Sequence, residues 1–213
     1  MAITTLNNLA INRSDTAAAD QLWTATSATA TDFQAAAAGG AWTFIKAQTA
    51  SASSSIDFVD GTSDVVFDDT YIAYQLKAFS VKGTTDKAIM TVLVSNDTGS
   101  SYETSGYKTR MTRNGGTVGN GYVTTAFMYA DDTGTATGEN MSYTLDFFNP
   151  AQTSDYARGI WTTCYSDEST ADSYITLGGA IYAVAGAIDA FRIIMSTGTI
   201  ASGSFYLYGL AKS

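Results

Sequence analysis

From residue 41 to the end of the chain, apolar and polar residues alternate with a period of two, broken at short intervals by glycine-rich and polar clusters. In residues 141–147, Met141, Tyr143, Leu145 and Phe147 alternate with Ser, Thr and Asp. Successive side chains of a β-strand point to opposite faces of the sheet, so this pattern predicts strands with one buried face. About ten such segments separated by turn residues predict an all-β two-sheet sandwich or jelly roll.

The predicted strands cover 42–49, 56–59, 64–67, 71–81, 88–95, 122–129, 141–147, 160–165, 173–184, 190–195 and 204–210. Residues 88–95 differ from the others because they are apolar on both faces. This is typical of a central strand, and equally of a strand whose outer face meets another subunit.

Residues 1–40 have a different composition, dominated by Ala, Thr, Ser, Asn and Asp and ending in an alanine run followed by two glycines. We expect an extended anchoring arm and linker here, ahead of a β domain at 41–213. The arm's apolar residues are too few to build a core, so we expect them to dock on another protein. Those expected to dock are Leu6, Leu9, Ile11, Trp23 and Phe33.

Charge and composition exclude several classes of function. With 20 acidic against 11 basic residues, the net charge of −9 disfavours a nucleic-acid partner. The sequence contains no histidine, which excludes Ser-His-Asp and Cys-His catalysis and most zinc sites. We therefore expect no enzyme and no cofactor, with Cys164 as a small buried residue. No apolar stretch is long enough for a membrane-spanning helix, so membrane insertion is not expected.

Carboxylates are the remaining candidates for chemistry, because two of them flanking a cleft can hydrolyse a glycoside. The candidates are Asp57, Asp60, Asp64, Asp68, Asp69 and Asp146. The acidic pairs Asp68-Asp69 and Asp131-Asp132 could also lend oxygens to Ca²⁺. Asp residues in β proteins occupy turns and solvent-facing positions far more often, so we favour the structural interpretation for all of them.

Two further motifs predict structural roles and not catalytic ones. Residues 95–102 resemble the Asp-box, a turn in which an Asp accepts backbone hydrogen bonds and a Gly takes the left-handed conformation; here these are Asp97 and Gly99. A single copy predicts a turn and no propeller. Lys108 and Arg110 should share one strand face, which we interpret as solvated or as an intersubunit contact.

Residues 191–210 contain a Gly-Thr-Ile-Ala-Ser-Gly turn and end in Leu-Tyr-Gly-Leu. This segment resembles the end of jelly-roll structural proteins of tailed bacteriophages, and residues 92–107 are similar to the middle of those proteins. Residues 6–16 and 24–34 resemble leader segments of marine-phage virion proteins. The resemblance implies a virion component that assembles symmetrically with other virion proteins, commonly as a homotrimer, and projects from the particle.

Three functions follow as expectations, in descending order. The first is a non-enzymatic capsid decoration protein anchored through its arm. The second is a tail-fibre or receptor-binding protein that contacts host glycans or proteins, with Tyr102, Tyr107 and Tyr122 as contacts because tyrosine gives contact area at low entropic cost. Core or subunit packing is an equal alternative for these tyrosines. The third is a carboxylate-based glycan depolymerase.

Overall fold

A computed structural model of the chain describes residues 21–25, 31–35, 42–68, 70–114, 119–166 and 173–211. The chain divides into two compact units, Met1–Gly40 and Ala41–Ser213. Every regular element in the described ranges is a β-strand, and no helix long and apolar enough to cross a membrane occurs among them. The all-β prediction is confirmed.

The described part of the first unit consists of two paired strands. Strands β1 (Gln21–Ala25) and β2 (Thr31–Ala35) pair antiparallel, with Trp23 opposite Phe33. Leu6, Leu9 and Ile11 lie outside the described residues, so their docking role stays a prediction.

In the residues that the structure describes, the second unit is a sandwich of twelve strands. In chain order they are β3 Trp42–Ser53, β4 Ile56–Val59, β5 Tyr71–Gly83, β6 Ala88–Ser95, β7 Tyr107–Asn114, β8 Gly119–Val123, β9 Met128–Thr133, β10 Met141–Phe148, β11 Ala157–Ser166, β12 Ser173–Tyr182, β13 Ala190–Met195 and β14 Ile200–Ala211. The large sheet has the order β3-β14-β5-β10-β11-β12-β7-β8, and the small sheet has the order β4-β13-β6-β9. All pairings are antiparallel.

The strand order is that of a jelly roll with two added hairpins. Strands β3, β14, β5 and β10 form one four-stranded layer, and β4, β13, β6 and β9 form the other. The pairs β7–β8 and β11–β12 are insertions, and both extend the first layer. The large sheet is therefore twice as wide as the small one, and its outer face is correspondingly large.

A chain of aromatic rings joins the two sheets in the core. Phe191 of β13 lies 4.4 Å from Phe147 of β10 and 5.2 Å from Phe67, measured between ring centroids. Phe147 in turn lies 4.9 Å from Phe127, which contacts Tyr107 at 6.4 Å. These edge-to-face contacts add to the burial of the rings, so this row is the packing centre of the sandwich.

Strands β4, β6 and β13 have the predicted bounds. Strand β6 lies between β13 and β9, so its apolar character on both faces reflects a central position in the small sheet. The subunit-contact alternative for β6 is not needed to explain its sequence.

Three expectations were wrong. Residues 64–67 form a loop, and Asp64 and the preceding Ser63 have left-handed backbones with φ of 71° and 50°. The strand predicted at 122–129 is two strands, β8 and β9, in different sheets. Cys164 is exposed, because Trp161 and Tyr165 share the inner face of β11 with Thr163 and leave Cys164 on the outer face.

Candidate assembly surface

The outer face of the large sheet, on the side away from the small sheet, carries a broad set of exposed apolar side chains. The alternation that buries one face of each strand sends every second residue to this side. The exposed large hydrophobic side chains on it are Trp42, Phe44, Phe79, Phe148, Ile160, Ile175 and Leu177. Monomeric proteins rarely leave so many large apolar side chains together in solvent, so this outer face is the main candidate site.

One half of the outer face is aromatic. Phe44 of β3 lies opposite Tyr208 of β14, with ring centroids 5.8 Å apart in an edge-to-face arrangement. Phe79 and Tyr206 repeat this geometry at 5.8 Å across β5 and β14. Trp42, at the start of β3, adds a third exposed ring system. The two edge-to-face pairs place four aromatic rings on this half of the outer face.

The other half of the outer face is aliphatic and comes from the inserted strands β11 and β12. Thr162 lies opposite Leu177, and Cys164 lies opposite Ile175. Ile160 and Leu177 are 53% and 55% exposed, which is high for residues of this type within a sheet. A jelly roll without the insertions would lack this half.

A depression of about 160 Å³ lies in the aliphatic half. It is lined by Thr144, Asp146, Ile160, Trp161, Thr162, Leu177 and Gly178. Gly179, opposite Ile160, has no side chain to fill the space beside it. The depression is thus an uneven region of the outer face, lined by both apolar and polar residues.

The charges on the outer face differ in sign from those of the molecule as a whole. Lys77, Lys108 and Arg110 reach it, and Asp146 is the single carboxylate that the described strands place there. Asp146 accepts a hydrogen bond of 2.6 Å from Gln75. The prediction that Lys108 and Arg110 share a face is confirmed by the alternation in β7.

The Asp-box motif forms the predicted turn. Asp97 accepts hydrogen bonds from the backbone N–H and the hydroxyl of Ser101, at 2.9 and 2.6 Å, and Gly99 is left-handed with φ of 72°. Ser95 donates to Asp97 at 2.8 Å. The turn does not close a hairpin, because β6 before it and β7 after it belong to different sheets.

Asp97 makes the stability of this turn depend on pH. The hydrogen bonds from Ser101, and then that from Ser95, hold the pKa of Asp97 below its ordinary value. The stability linked to Asp97 is therefore complete above about pH 4, near the pKa in an unfolded chain, and is lost as pH falls through the lower folded-state pKa.

We expect Asp97→Asn to reduce the fall in stability between neutral and strongly acidic pH, because the amide does not titrate. Urea unfolding at a series of pH values measures this. Ser101→Ala is the matched control, since it removes the hydroxyl donor but keeps the backbone N–H donor and the carboxylate, and its acid sensitivity should be intermediate. An unchanged acid sensitivity in Asp97→Asn would contradict the assignment.

Of the tyrosines predicted as surface contacts, Tyr102 is half-buried beside an ion pair. Arg192 of β13 donates two hydrogen bonds to Asp57 of β4, of 2.8 and 2.6 Å, and its guanidinium lies 3.9 Å from the centre of the Tyr102 ring. Burial, and then the charge of Asp57, raise the pKa of Tyr102 to about 12. The tyrosine supports the ion pair from the turn after β6.

The expectation that Tyr107 is a surface contact is corrected. Tyr107 is 1% exposed, and its hydroxyl accepts from Val94 N–H at 3.0 Å and donates to the Glu103 carbonyl at 2.9 Å. It is a core residue because its position in β7 points toward the small sheet. The backbone of Tyr122 lies in β8, and its side chain is outside the described set.

The candidate carboxylates are held by several different contacts. Asp57 is paired with Arg192, Asp60 accepts from Phe67 N–H at 2.8 Å, and Asp68 accepts from Thr70 N–H at 2.7 Å. Asp64 is an exposed loop residue, and Asp146 belongs to the outer face of the large sheet. Asp69 and the side chains of Asp131 and Asp132 are outside the described set. No group of three or more metal-ligating side chains occurs among the described residues.

Sequence reasoning missed the residues that matter most on the outer face, Ile160, Ile175 and Leu177. A signal for two of them was present: in β12, the apolar Ile175 and Leu177 alternate with Tyr174 and Thr176, so both faces of the strand carry side chains suited to burial. Only the sheet order shows which of the two faces is covered. A comparison of the sequence with protein-family models and with curated proteins found no match.

Proposed function

We propose that this chain is a non-enzymatic structural protein of a phage particle, anchored by its first forty residues, with capsid decoration as the leading role. The observation that carries the proposal is the exposed apolar outer face of the large sheet. Such a surface is characteristic of proteins that bury it against a partner. The resemblance of residues 191–210 to virion structural proteins gives the class of partner, namely other virion proteins.

The composition of the outer face supports an interface role. Aromatic side chains such as Trp42, Phe44 and Tyr208 lie beside the aliphatic Ile160 and Leu177, and acidic side chains are nearly absent. Interface cores are enriched in aromatic residues and depleted in charged ones. A rigid sheet presents these side chains without further ordering, which lowers the entropic cost of association.

The arrangement of the carboxylates supports a protein without hydrolase activity. A cleft of about 130 Å³ between β3 and β4 contains Asp57 as its only carboxylate among the described lining residues. Asp57 is bound to Arg192 at 2.6 Å, so its charge is neutralised and its oxygens are occupied. Glycoside hydrolysis needs two carboxylates facing each other across a cleft, and the described residues of this cleft supply one.

A tail-fibre or receptor-binding role is the second candidate, and the aromatic half of the outer face favours it. Flat, exposed rings such as Trp42, Phe44 and Phe79 offer surfaces on which a host glycan or protein can stack. The tyrosines expected for this role from the sequence give it little support, because Tyr107 is buried and Tyr102 is half-buried.

Location on the particle tests the proposal. We expect an antibody raised against the purified chain to label the heads of intact particles, at many copies per particle. Label collected at the tail would support the receptor-binding role instead. A chain lacking residues 1–34 should stay folded and fail to join particles. Absence of the chain from purified particles would overturn the proposal, and incorporation of the truncated chain would overturn the anchoring role.

A further inference from the structure

We propose that the edge of β3 that faces away from β14 pairs with the same edge of a second copy, antiparallel and about a two-fold axis. Residues 42–49 of each copy make the contact, and the large sheets of the two molecules then join into one continuous sheet. This pairing is independent of the particle role above, and it leaves the outer face of the large sheet open to another protein.

Strand β3 is long for an edge strand. Among the described strands, β3 and β8 end the large sheet, and β4 and β9 end the small one. Strand β3 has 12 residues, whereas β8, β4 and β9 have 5, 4 and 6. An edge strand presents a row of backbone N–H and C=O groups to its open side, and natural proteins keep such edges short or blocked. Strand β3 is therefore the edge best suited to accept a further strand.

A bulge in β3 decides which strand can pair with it. Phe44 lies opposite Tyr208 and Lys46 lies opposite Leu207, so Ile45 is an extra residue between two regular stretches. The extra residue reverses the alternation of side chains along β3. A regular strand of another protein would match the faces of β3 on one side of the bulge and oppose them on the other. The bulge therefore disfavours a regular partner strand.

A second β3 carries the same bulge and keeps the faces matched. Before the bulge, Trp42 and Phe44 reach the outer face, and after the bulge Ala47 and Thr49 do so. With the two-fold axis in the bulge, Trp42 lies opposite Thr49 of the second copy. Phe44 lies opposite its Ala47 in the same way. Each residue from 42 to 49 then faces one on the same side of the sheet, which a shift of one or two residues does not achieve.

The facing side chains are also complementary in size. Trp42 and Phe44 are 38% and 55% exposed in the single chain. Each faces a small side chain of the second copy, so the large and small residues of the two strands pack across the contact without a clash. Strand β3 contains one charged residue, Lys46, and no acidic one. The pairing thus covers two exposed rings of each copy without burying a carboxylate.

Lys46 limits the strength of the pairing. The two-fold axis brings the Lys46 residues of both copies close together on the inner side, and like charges on neighbouring strands destabilise a sheet. A contact along residues 42–49 is also small for a protein interface, so the association is weak and reversible. We expect Lys46→Gln to strengthen the association by about five-fold, because the repulsion is removed. An unchanged association in this variant would overturn the proposed register.

Sedimentation of the full chain over a range of concentrations is the first measurement. We expect a reversible change from one chain of 22.4 kDa to two chains and no further, because each molecule has one β3 edge and the two edges occupy each other. A chain that stays monomeric at the highest concentration would overturn the proposal. An assembly of three or more chains would also overturn it.

A charge exchange tests the pairing of Phe44 with Ala47. One double variant carries Phe44→Glu and Ala47→Glu, and the other carries Phe44→Lys and Ala47→Lys. Each variant alone should associate at least about ten-fold more weakly than the unmodified chain, because like charges face each other twice across the axis. An equal mixture should form dimers that contain one chain of each kind, since every facing pair is then of opposite charge. Failure of the mixture to associate would overturn the antiparallel β3 pairing.

The fold of the variants and the site of the effect need their own controls. Phe44 and Ala47 are exposed in the single chain, so circular dichroism and thermal unfolding should show both double variants folded. Val184→Glu places a charge on an apolar residue that is 42% exposed in the loop after β12, and it should associate like the unmodified chain. Equal weakening in the Val184 variant would overturn the assignment to β3, because the effect would then follow charge and not location.

The outcomes for the pairing and for the particle role are distinguishable. A monomeric chain whose antibody labels particles would overturn the β3 pairing and leave the particle role standing. A dimer that loses association in each double variant and regains it in the mixture, but whose antibody labels no particle, would support the pairing and overturn the particle role.

Discussion

Replacing Phe191 by alanine is expected to lower the free energy of unfolding by about 4 kcal/mol, as is typical for a fully buried phenylalanine. Phe191 is 2% exposed and contacts Phe67 and Phe147, so its ring joins the small sheet to the large one. The variant loses both edge-to-face contacts as well as the burial of the ring, and the surrounding strands cannot close the space left between two sheets.

Chemical unfolding followed by circular dichroism measures this effect. Phe44→Ala is the matched control, because Phe44 is an exposed phenylalanine that also makes an edge-to-face contact, with Tyr208. We expect the control to change the free energy of unfolding by less than about 1 kcal/mol. Equal losses in the two variants would contradict the assignment of Phe191 to the packing centre.

Gly178→Ala should destabilise the sandwich by about 3 kcal/mol through overpacking. A Cβ at residue 178 would lie 2.0 Å from Cζ2 and 2.3 Å from Cε2 of Trp161, on the inner face of the inserted strands. Trp161 is buried and its ring cannot move without displacing the core around β11. The substitution therefore forces either the indole or the strand out of place.

The neighbouring glycine provides the control. A Cβ at Gly179 would meet its nearest atoms at 3.7 Å, an ordinary contact distance. Gly179→Ala should leave stability within about 0.5 kcal/mol or raise it slightly, because alanine restricts the unfolded chain more than glycine does. Near-UV circular dichroism, to which the buried Trp161 contributes together with the other packed aromatic residues, should change in the Gly178 variant alone. If Gly178→Ala is as stable as Gly179→Ala, a clash with Trp161 does not explain why residue 178 is a glycine.

Local sequence patterns predicted the turn after β6 as well as the strands. Ser95, Asp97, Gly99 and Ser101 lie within seven residues of each other, so the hydrogen bonds that hold the turn depend on nearby chain geometry. The opposite holds for Tyr107, whose burial depends on Phe127 and Tyr182 from distant segments. The alternation of residues around Tyr107 in β7 would be the same whether the face that carries Tyr107 packed against a core or against a partner.

The sequence by itself determined the class of fold, because period-two alternation and turn residues are local properties that each strand carries alone. The tertiary structure decided which face of each strand is covered. Insertion of the β7–β8 and β11–β12 pairs into one layer widened the large sheet and left Ile160, Ile175 and Leu177 in solvent. Sheet order results from pairing between strands far apart in the chain, and alternation within a strand is identical for either choice of covered face.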